Sequence, residues 1–314
     1  MPACNSTIQI VISTDQNYLP HAATTIASIL HHMADDDRVS LSVLHLELSD
    51  THQQRLKQLE QLQPDRCQIT CVQVDQKRFE VFPDVRYLSN ASYYRLIIHD
   101  LFPDLERMIY LDSDLLVRTS LAPLWNTSLD GVLAAVVEET QFLDQVYQDM
   151  GLNPGVRFNA GMMLCHLAAW RQESIWDQYI QALELFRDHL HAGDQDILNH
   201  TLAGRVHILP QRWNLTTSIY KEPAEYRHYD AKHVLDTVTN PAIVHFTSSR
   251  KPWMLQRDRH GFSHEYWRYL ALTPWRSERW RGVIKRLFYG RKKQAKSTYE
   301  QLRKQDSKAN LTRA

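Results

Sequence analysis

Two aspartates separated by one residue, Asp112 and Asp114, are the feature of this sequence most suggestive of chemistry. They follow residues 107–111, an apolar segment that is typical of a buried strand. Residues two apart on a strand point to the same side, so the two carboxylates would repel each other unless a cation lay between them. Hard oxygen ligands suit Mg²⁺ or Mn²⁺, and such an ion also binds diphosphate oxygens. On spacing alone, a solvated turn is the commoner alternative.

Two later side chains suit the same chemistry. His245 lies in the apolar segment 242–246 and could supply an imidazole to the same ion. Lys251 follows six residues later and could neutralise a phosphate. Taken singly, a buried histidine is more often a core residue and a lone lysine more often a surface residue. The apolar segments on both sides of the aspartate pair nevertheless favour a functional site over a solvated turn.

The elements that must position these residues alternate between strands and helices, which predicts an α/β fold with a mostly parallel sheet. In such sheets, ligands bind at the carboxyl ends of the strands, where the aspartate pair is expected. Apolar residues along 167–191 favour one long helix there. The predicted strands are 8–13, 40–46, 68–74, 107–111, 131–137, 158–164, 206–209 and 242–246, and the other predicted helices are 22–32, 50–62, 89–101 and 194–202.

Composition narrows the class of protein. The 314 residues are 43% hydrophobic and 23% charged, as expected of a globular protein with a sizeable core. Only 9 are glycine, which argues against a glycine-rich phosphate loop. Cys67 and Cys71 lie in a strand-like segment, and no pair of histidines has zinc-ligand spacing, so we expect reduced thiols. Neither a signal peptide nor a membrane-spanning segment is recognisable, so we expect a cytoplasmic location. The N-glycosylation sequon at Asn214 is then accidental, because a cytoplasmic chain does not enter a secretory compartment.

The net charge of zero conceals a polarity between the two ends of the chain. Residues 276–314 carry 13 Lys and Arg against 3 Asp and Glu, so the remainder is acidic. Aromatic residues interleave with these basic ones from about residue 261. We therefore divide the chain into a domain at 1–260 and a basic, aromatic C-terminal helical tail at 261–314. The tail is predicted to meet an anionic membrane surface, at the inner face of the cytoplasmic membrane. A solvated basic helix is the alternative, and no nucleic-acid partner is expected because the acidic domain would oppose it.

Six segments, in this order along the chain, resemble glycosyltransferase family 8, which includes bacterial lipopolysaccharide galactosyl- and glucosyltransferases and glycogenin. The resemblance implies a GT-A fold, meaning a single nucleotide-sugar-binding domain with a mixed, mostly parallel sheet. It also implies retention of anomeric configuration, a UDP-hexose donor, and a saccharide or glycolipid acceptor. The segments are IVISTDQNY at 10–18, SYYRL at 92–96, IYLDSDLLV at 109–117, FNAGM at 158–162, DQDILN at 194–199 and HFTSSRKPW at 245–253.

The same resemblance assigns roles to individual residues. It implies that Asp112, Asp114 and His245 hold the metal, with Mn²⁺ the usual ion and Mg²⁺ an alternative. Where the family usually has glycine three residues after the metal histidine, this chain has Ser248, whose Cβ approaches the phosphate. Donor-binding positions are Ser13, Thr14, Asp15, Asn17, Tyr18, Asp112, Ser113, Ser248 and Lys251, and catalytic positions near the transferred sugar are Arg95, Asn159, Asp194 and Gln195.

The residue types also bear on the reaction. Gln195 occupies the position where a retaining enzyme could carry a carboxylate nucleophile, and an amide is a poor nucleophile. We therefore expect the acceptor hydroxyl to attack from the face that the diphosphate leaves. Glucose and galactose both remain open as the transferred hexose. Two other functions also remain open at this point, a metal-dependent nucleotidyltransferase and a non-catalytic nucleotide-sugar-binding protein.

Overall fold

A computed structural model describes residues 7–83, 90–139, 157–187, 190–220, 231–247, 251–254 and 261–278. Its centre is a seven-stranded sheet with the strand order β3-β2-β1-β4-β7-β6-β8. A smaller sheet pairs β5 with β9. The strands are β1 Ile8–Ser13, β2 Val39–His45, β3 Cys67–Gln73, β4 Met108–Leu111, β5 Leu115–Val117, β6 Ala134–Glu138, β7 Phe158–Cys165, β8 Val206–Ile208 and β9 Ile243–His245.

The large sheet is mixed and mostly parallel, as predicted. Strands β3, β2, β1 and β4 are parallel, and β8 is parallel to β6. Strand β7 is antiparallel to both of its neighbours, β4 and β6. Every residue of β7 is buried, which explains why all of its residues except Asn159 are apolar in a strand with neighbours on both sides. The antiparallel register pairs Leu111, the last residue of β4, with Met162, so the first residues of β7 extend past the end of β4 beside Asp112.

The small sheet determines where the second half of the site lies. Strand β5 follows Asp114 directly, and its antiparallel pairing with β9 places Leu115 opposite His245. The backbone N–H of Phe246 donates to the carbonyl of Asp114 at 3.1 Å. This register therefore places the imidazole next to the aspartate pair, although the two segments are far apart in the sequence.

Helices cover both faces of the large sheet and bury two apolar clusters against it. On one face α1 contributes Ile26 and Leu30, both fully buried. On the other face Trp170 and Tyr179 are fully buried. The α-helices are α1 Leu19–His31, α2 Asp50–Lys57, α3 Ile98–Leu101, α4 Ala122–Trp125, α5 Leu167–Gln172, α6 Ile175–Phe186, α7 Asp194–Thr201, α8 Ala231–Thr239 and α9 Ser263–Leu270, and 3-10 helices span Gln58–Leu62, Gln76–Phe79, Asn90–Ile97, Gln211–Trp213 and Thr217–Tyr220.

The prediction of one long helix at 167–191 is wrong. The segment forms two helices, α5 and α6, with a break at Ser174, whose backbone is left-handed (φ 49°, ψ 50°). The break lets Trp170 and Ile175, five positions apart, both face the core, whereas a continuous helix would bring together residues three or four apart. Burial of both large side chains therefore offsets the cost of the left-handed backbone at the exposed Ser174.

Residues 261–278 pack onto the domain rather than forming a separate extension. Helix α9 lies against α1, and Tyr266, Tyr269 and Trp275 are buried in the same core. The first 18 residues of the segment assigned to the tail therefore pack against the domain. Residues 279–314 lie outside the described ranges. Within those ranges, no helix combines the length and the apolar character needed to cross a bilayer.

The left-handed Ser174 gives a prediction about stability. A non-glycine residue in this conformation is strained by roughly 1–2 kcal/mol, and glycine relieves that strain. Glycine also makes the unfolded chain more flexible, which cancels part of the gain in stability. Ser174→Gly should therefore raise the free energy of unfolding by about 0.5 kcal/mol in urea denaturation. The matched control is Gln172→Gly, in the adjacent right-handed turn, which should lower it by about 0.5–1 kcal/mol. Equal destabilisation by both substitutions would contradict the strain at Ser174.

Candidate active site

A cavity of about 900 Å³ opens where β1 and β4 end and β7 begins. Its walls come from these strands, from the 3-10 helix before α3, from the start of α7 and from the segment after β9. The cavity brings together almost all of the site residues predicted from the sequence. Its lining is Ser13, Thr14, Asp15, Tyr18, Ala91, Ser92, Arg95, Tyr110, Asp112, Ser113, Asp114, Asn159, Ala160, Gly161, Ala192, Asp194, Gln195, His245, Thr247, Lys251 and Met254.

The carboxylate of Asp112 uses its two oxygens for different purposes. Its Oδ1 accepts hydrogen bonds from Arg95 Nη2 at 2.7 Å and from Tyr110 Oη at 3.1 Å. Its Oδ2 lies 3.6 Å from His245 Nε2. The backbone N–H of Asp112 donates to Gly161 O, which fixes the residue against β7. Arg95 and Tyr110 thus hold the carboxylate so that one oxygen faces the imidazole.

Asp114 is arranged in a similar way. Its Oδ1 lies 3.1 Å from His245 Nε2, and its Oδ2 accepts a hydrogen bond from Lys251 Nζ. Lys251 also donates to the carbonyl of Phe246. Burial would raise the pKa of the Asp114 carboxyl, but Lys251 and His245 outweigh burial and lower it. Burial would conversely lower the pKa of Lys251, and Asp114 raises it, so both groups are charged at neutral pH.

Asp112, Asp114 and His245 each offer a ligand atom, and these atoms all lie within 4.8 Å of one another. Adjacent ligands of an octahedral ion with bonds of about 2.1 Å lie about 3 Å apart, close to the separations of 3.1 and 3.6 Å found here. The residues therefore fit a six-coordinate divalent ion with two carboxylate oxygens, one nitrogen and further positions open to a ligand.

Gly161 makes room for this arrangement. A Cβ atom built on Gly161 would lie 2.5 Å from Asp112 Oδ2 and would overlap the His245 ring. The backbone of β7 thus passes so close to the ligands that no side chain fits there. The glycine of the FNAGM segment is explained by this close approach.

On the other side of the cavity, Arg95 and Asp194 form a buried ion pair. Arg95 Nε lies 2.9 Å from Asp194 Oδ2, and both side chains are 4% exposed. Burial raises the pKa of the Asp194 carboxyl to about 6, and the Arg95 guanidinium opposes that rise. The carboxyl is therefore mostly ionised at neutral pH. Arg95 also donates to the carbonyl of Ala160 and lies 4.3 Å from the centre of the Tyr110 ring.

Asn159 and Gln195 form an amide pair next to this ion pair. Gln195 Oε1 accepts hydrogen bonds from Asn159 Nδ2 at 3.2 Å and from the backbone N–H of Ala160 at 3.1 Å. Asn159 Oδ1 accepts from the N–H of Gly161 at 3.0 Å and from Asn214 Nδ2 at 3.0 Å. Asn214 also contacts His245, with 3.1 Å between Oδ1 and Nδ1. A chain of side-chain hydrogen bonds thus runs from the imidazole to Gln195.

The loop after β1 forms the remaining wall. Asp15 Oδ1 accepts the backbone N–H groups of Asn17 and Tyr18, which shapes the turn into α1. Burial raises the pKa of Tyr18, whose hydroxyl is therefore neutral. Ser13 and Thr14 are buried at the cavity wall. This loop carries the residues expected to meet the nucleotide.

Most predicted site residues line the cavity, and two do not. Asn17 is exposed and lies outside the lining. Ser248 falls outside the described residues. Sequence reasoning missed two participants, Tyr110 and Asn214. Tyr110 lies on β4 two positions before Asp112, so strand periodicity continued past the strand end could have identified it. Asn214 carries no comparable local signal, because its partners come from distant segments.

The sheet and the cavity at its carboxyl edge define the GT-A class of nucleotide-sugar-dependent transferases. The galactosyltransferase LgtC, solved in complex with donor and acceptor sugar analogs, superposes with a TM-score of 0.75 and is 26% identical. That similarity covers 88% of this chain and 99% of LgtC. The shared fold includes nearly all of LgtC.

Sequence relatives agree with the structural comparison. General stress protein A of Bacillus subtilis is 30% identical over 275 residues, which is 85% of this chain and 94% of the relative. The lipopolysaccharide 1,3-galactosyltransferase of Salmonella typhimurium is 28% identical, over 78% of this chain and 72% of that enzyme. The lipopolysaccharide 1,2-glucosyltransferase of Escherichia coli is 25% identical, over 78% and 72%. The profile of glycosyl transferase family 8 matches residues 9–256, and the chain belongs to this family.

The close approach at Gly161 gives a test of the metal centre. Gly161→Ala should weaken Mn²⁺ binding about 10-fold or more, because the new methyl group displaces His245 or Asp112 from the ion. Electron paramagnetic resonance of free Mn²⁺ measures the affinity. Gly204→Ala is the control, since its Cβ meets nothing within 4 Å although its φ of 71° makes the substitution costly to stability. Unchanged Mn²⁺ affinity in Gly161→Ala would place the ion elsewhere.

Proposed function

We propose that the protein is a retaining, Mn²⁺-dependent hexosyltransferase that moves glucose or galactose from a UDP-hexose to a saccharide acceptor. The observation that carries the proposal is the cluster of Asp112, Asp114 and His245, which lies in one cavity with the Arg95–Asp194 pair. One cavity therefore contains both the ligands for an ion and polar groups suited to a sugar. Membership of the family supports the use of a UDP-sugar.

The ligand set supports Mn²⁺ over Mg²⁺. Mg²⁺ favours oxygen ligands and retains its waters, whereas the nitrogen of His245 suits a transition metal better. When bound, the ion supplies positive charge to the diphosphate leaving group. Lys251, which contacts Asp114, is within reach of the same region and adds a second positive charge. Both charges favour departure of the nucleotide diphosphate.

The surroundings of the sugar support attack by the acceptor on the face from which the diphosphate leaves. The carboxylate of Asp194 is paired with Arg95 in a buried position, which makes it a poor nucleophile. The carbonyl oxygen of Gln195 accepts two hydrogen bonds, from Asn159 and Ala160. These contacts favour positioning roles for both residues. A covalent glycosyl adduct on Asp194 or Gln195, sought by mass spectrometry, would contradict this mechanism.

The named relatives support a role in cell-surface glycan synthesis. One is a glucosyltransferase and another a galactosyltransferase, and both act on lipopolysaccharide. We therefore propose a lipopolysaccharide-type saccharide or glycolipid as acceptor, met on the cytoplasmic side of the membrane. A location in the cytoplasm suits the free thiols of Cys67, Cys71 and Cys165.

Product analysis tests the reaction. With Mn²⁺ and either UDP-glucose or UDP-galactose, the protein should release UDP, and EDTA should abolish that release. Asp114→Asn should lower the rate about 100-fold or more, because the ligand for the ion and the partner of Lys251 are both weakened. The exposed Asp130→Asn is the control and should leave the rate unchanged.

The two alternative functions give different outcomes in the same assay. Release of pyrophosphate from a nucleoside triphosphate, with no UDP formed from UDP-hexoses, would indicate a nucleotidyltransferase. Binding of UDP-hexose without hydrolysis or transfer would indicate a nucleotide-sugar-binding protein. The sugar-side residues Arg95, Asn159 and Gln195 favour the transferase over the first alternative, and the complete set of metal ligands favours it over the second.

The basic segment supports peripheral attachment to an anionic membrane. Residues 279–314 contain 12 Lys and Arg and 2 Asp and Glu, with Trp280, Phe288 and Tyr289 among them. Each basic residue near an anionic surface contributes up to about 1 kcal/mol, and aromatic rings favour the headgroup level. Because Pro274 O accepts a hydrogen bond from Arg55 and Trp275 is buried, the segment to be removed begins after Glu278.

Sedimentation with liposomes tests this attachment. The full chain should pellet with vesicles that contain phosphatidylglycerol, and a chain ending at Glu278 should remain in the supernatant. Neutral phosphatidylcholine vesicles and 0.5 M salt are controls, and both should reduce binding of the full chain. Equal partitioning of the two chains would contradict the membrane proposal.

A further inference from the structure

The amide of Asn214 joins the two halves of the cavity. The residue is 2% exposed, with His245 on one side and Asn159 on the other. We propose that Asn214 is a positioning residue that sets the tautomer of the His245 ring and ties the metal ligands to the residues around the sugar. The inference rests on the metal-dependent transfer proposed above and adds to it a residue outside the cavity lining.

Backbone donors fix the direction of this chain of amides. The N–H of Gly161 can only donate, so the atom of Asn159 that it meets at 3.0 Å must be the oxygen. In the same way, the N–H of Ala160 fixes the atom of Gln195 that it meets as the carbonyl oxygen. The Asn159 nitrogen then donates to Gln195, as its contact at 3.2 Å requires. If either amide were flipped, its NH₂ group would face a backbone N–H group, and two donors would then oppose each other.

The same donor and acceptor assignment extends through Asn214 to His245. Because Asn159 presents an oxygen, Asn214 must present its nitrogen to it, at 3.0 Å. The oxygen of Asn214 is then left facing His245 Nδ1 at 3.1 Å. A hydrogen bond between these two atoms needs a proton on Nδ1, and a neutral ring with that proton has a lone pair on Nε2. The backbone of β7 thus determines, through two side chains, which nitrogen is available to an ion.

This control matters because the carboxylates favour the opposite tautomer. Nε2 lies 3.1 Å from Asp114 Oδ1 and 3.6 Å from Asp112 Oδ2. A proton on Nε2 would form a hydrogen bond to Asp114, and the imidazole would then block the place of the ion. The acceptor on Asn214 counters this tendency, as partners of metal-bound histidines commonly do.

Two substitutions separate the two contacts of Asn214. Asn214→Ala removes both, and it should weaken Mn²⁺ binding about 10- to 100-fold. Asn214→Asp keeps an acceptor for Nδ1 but cannot donate to Asn159. It should therefore bind Mn²⁺ within about 3-fold of the wild type, while the KM for UDP-hexose rises because Asn159 loses one of its constraints. If Asn214→Asp restores the Mn²⁺ affinity that Asn214→Ala loses but does not restore the KM, the role of Asn214 is more than structural.

The ring tautomer itself is measured by ¹⁵N NMR of histidine side chains in the metal-free protein, at a pH at which the ¹⁵N shifts show a neutral ring with one proton. The His245 signal is assigned by its absence in His245→Gln. The wild type and Asn214→Asp should show protonated Nδ1, and Asn214→Ala should show protonated Nε2. Thr216→Val is the control, because Thr216 is buried in the same segment and its hydroxyl contacts Ser218 instead of the ring. It should leave the tautomer and the Mn²⁺ affinity unchanged.

The outcomes distinguish this inference from the proposed function. A wild type that binds Mn²⁺ and releases UDP, with an alanine variant of equal Mn²⁺ affinity and tautomer, would overturn the role of Asn214 and leave the function intact. A wild type with protonated Nδ1 that binds no Mn²⁺ would overturn the metal-dependent function, while the role in setting the tautomer would stand. If Asn214→Ala does not fold, an Asn214→Asp variant whose neutral ring carries its proton on Nε2 would overturn the inference.

Discussion

The repulsion between two carboxylates in one partly buried cavity is the constraint on which this structure depends. Asp112 and Asp114 lie close together at a sheet edge, where burial strengthens their mutual repulsion. Each carboxylate is held by its own cation, Arg95 for one and Lys251 for the other. The remaining oxygens face one imidazole. Because Asp194 also draws on Arg95, three carboxylates face two cations. The place between Asp112, Asp114 and His245 is therefore one where a divalent ion would supply the missing positive charge.

The same charges connect the two ends of the reaction that we propose. Arg95 contacts Asp112 on the metal side and Asp194 on the sugar side. The amides of Asn214, Asn159 and Gln195 form a second connection between the same two sides. Because Arg95, Asp194, Asn159 and Asn214 are buried, a small shift of either half would be transmitted to the other instead of being absorbed by water. Such coupling suits a transferase in which loss of the diphosphate and attack on the sugar must be aligned.

Much of this arrangement could be predicted from sequence because it depends on local patterns. The acidic pair after an apolar segment predicted the end of β4, and the order of the family segments brought His245 and Lys251 to the same site. The sequence does not predict the break at Ser174, because α5 and α6 both show helical periodicity. The position of the break depends on how Trp170 packs in the core. Asn214 was missed for a similar reason. Its role follows from the bridge between the adjacent Leu215 and β9 and from the backbone direction of β7, and neither is visible in the residues that surround it.

The small β5–β9 sheet also has a kinetic consequence. It joins segments that are distant in sequence, and contacts of this kind form late because a long loop must first be closed. A nascent or partly folded chain would hold both aspartates but would lack the imidazole beside them. Divalent ions should then bind strongly only to the completed fold, and by mass action their presence would stabilise that state over every intermediate. Metal supply in the cell would thus influence how long the folded enzyme persists, in addition to how fast it works.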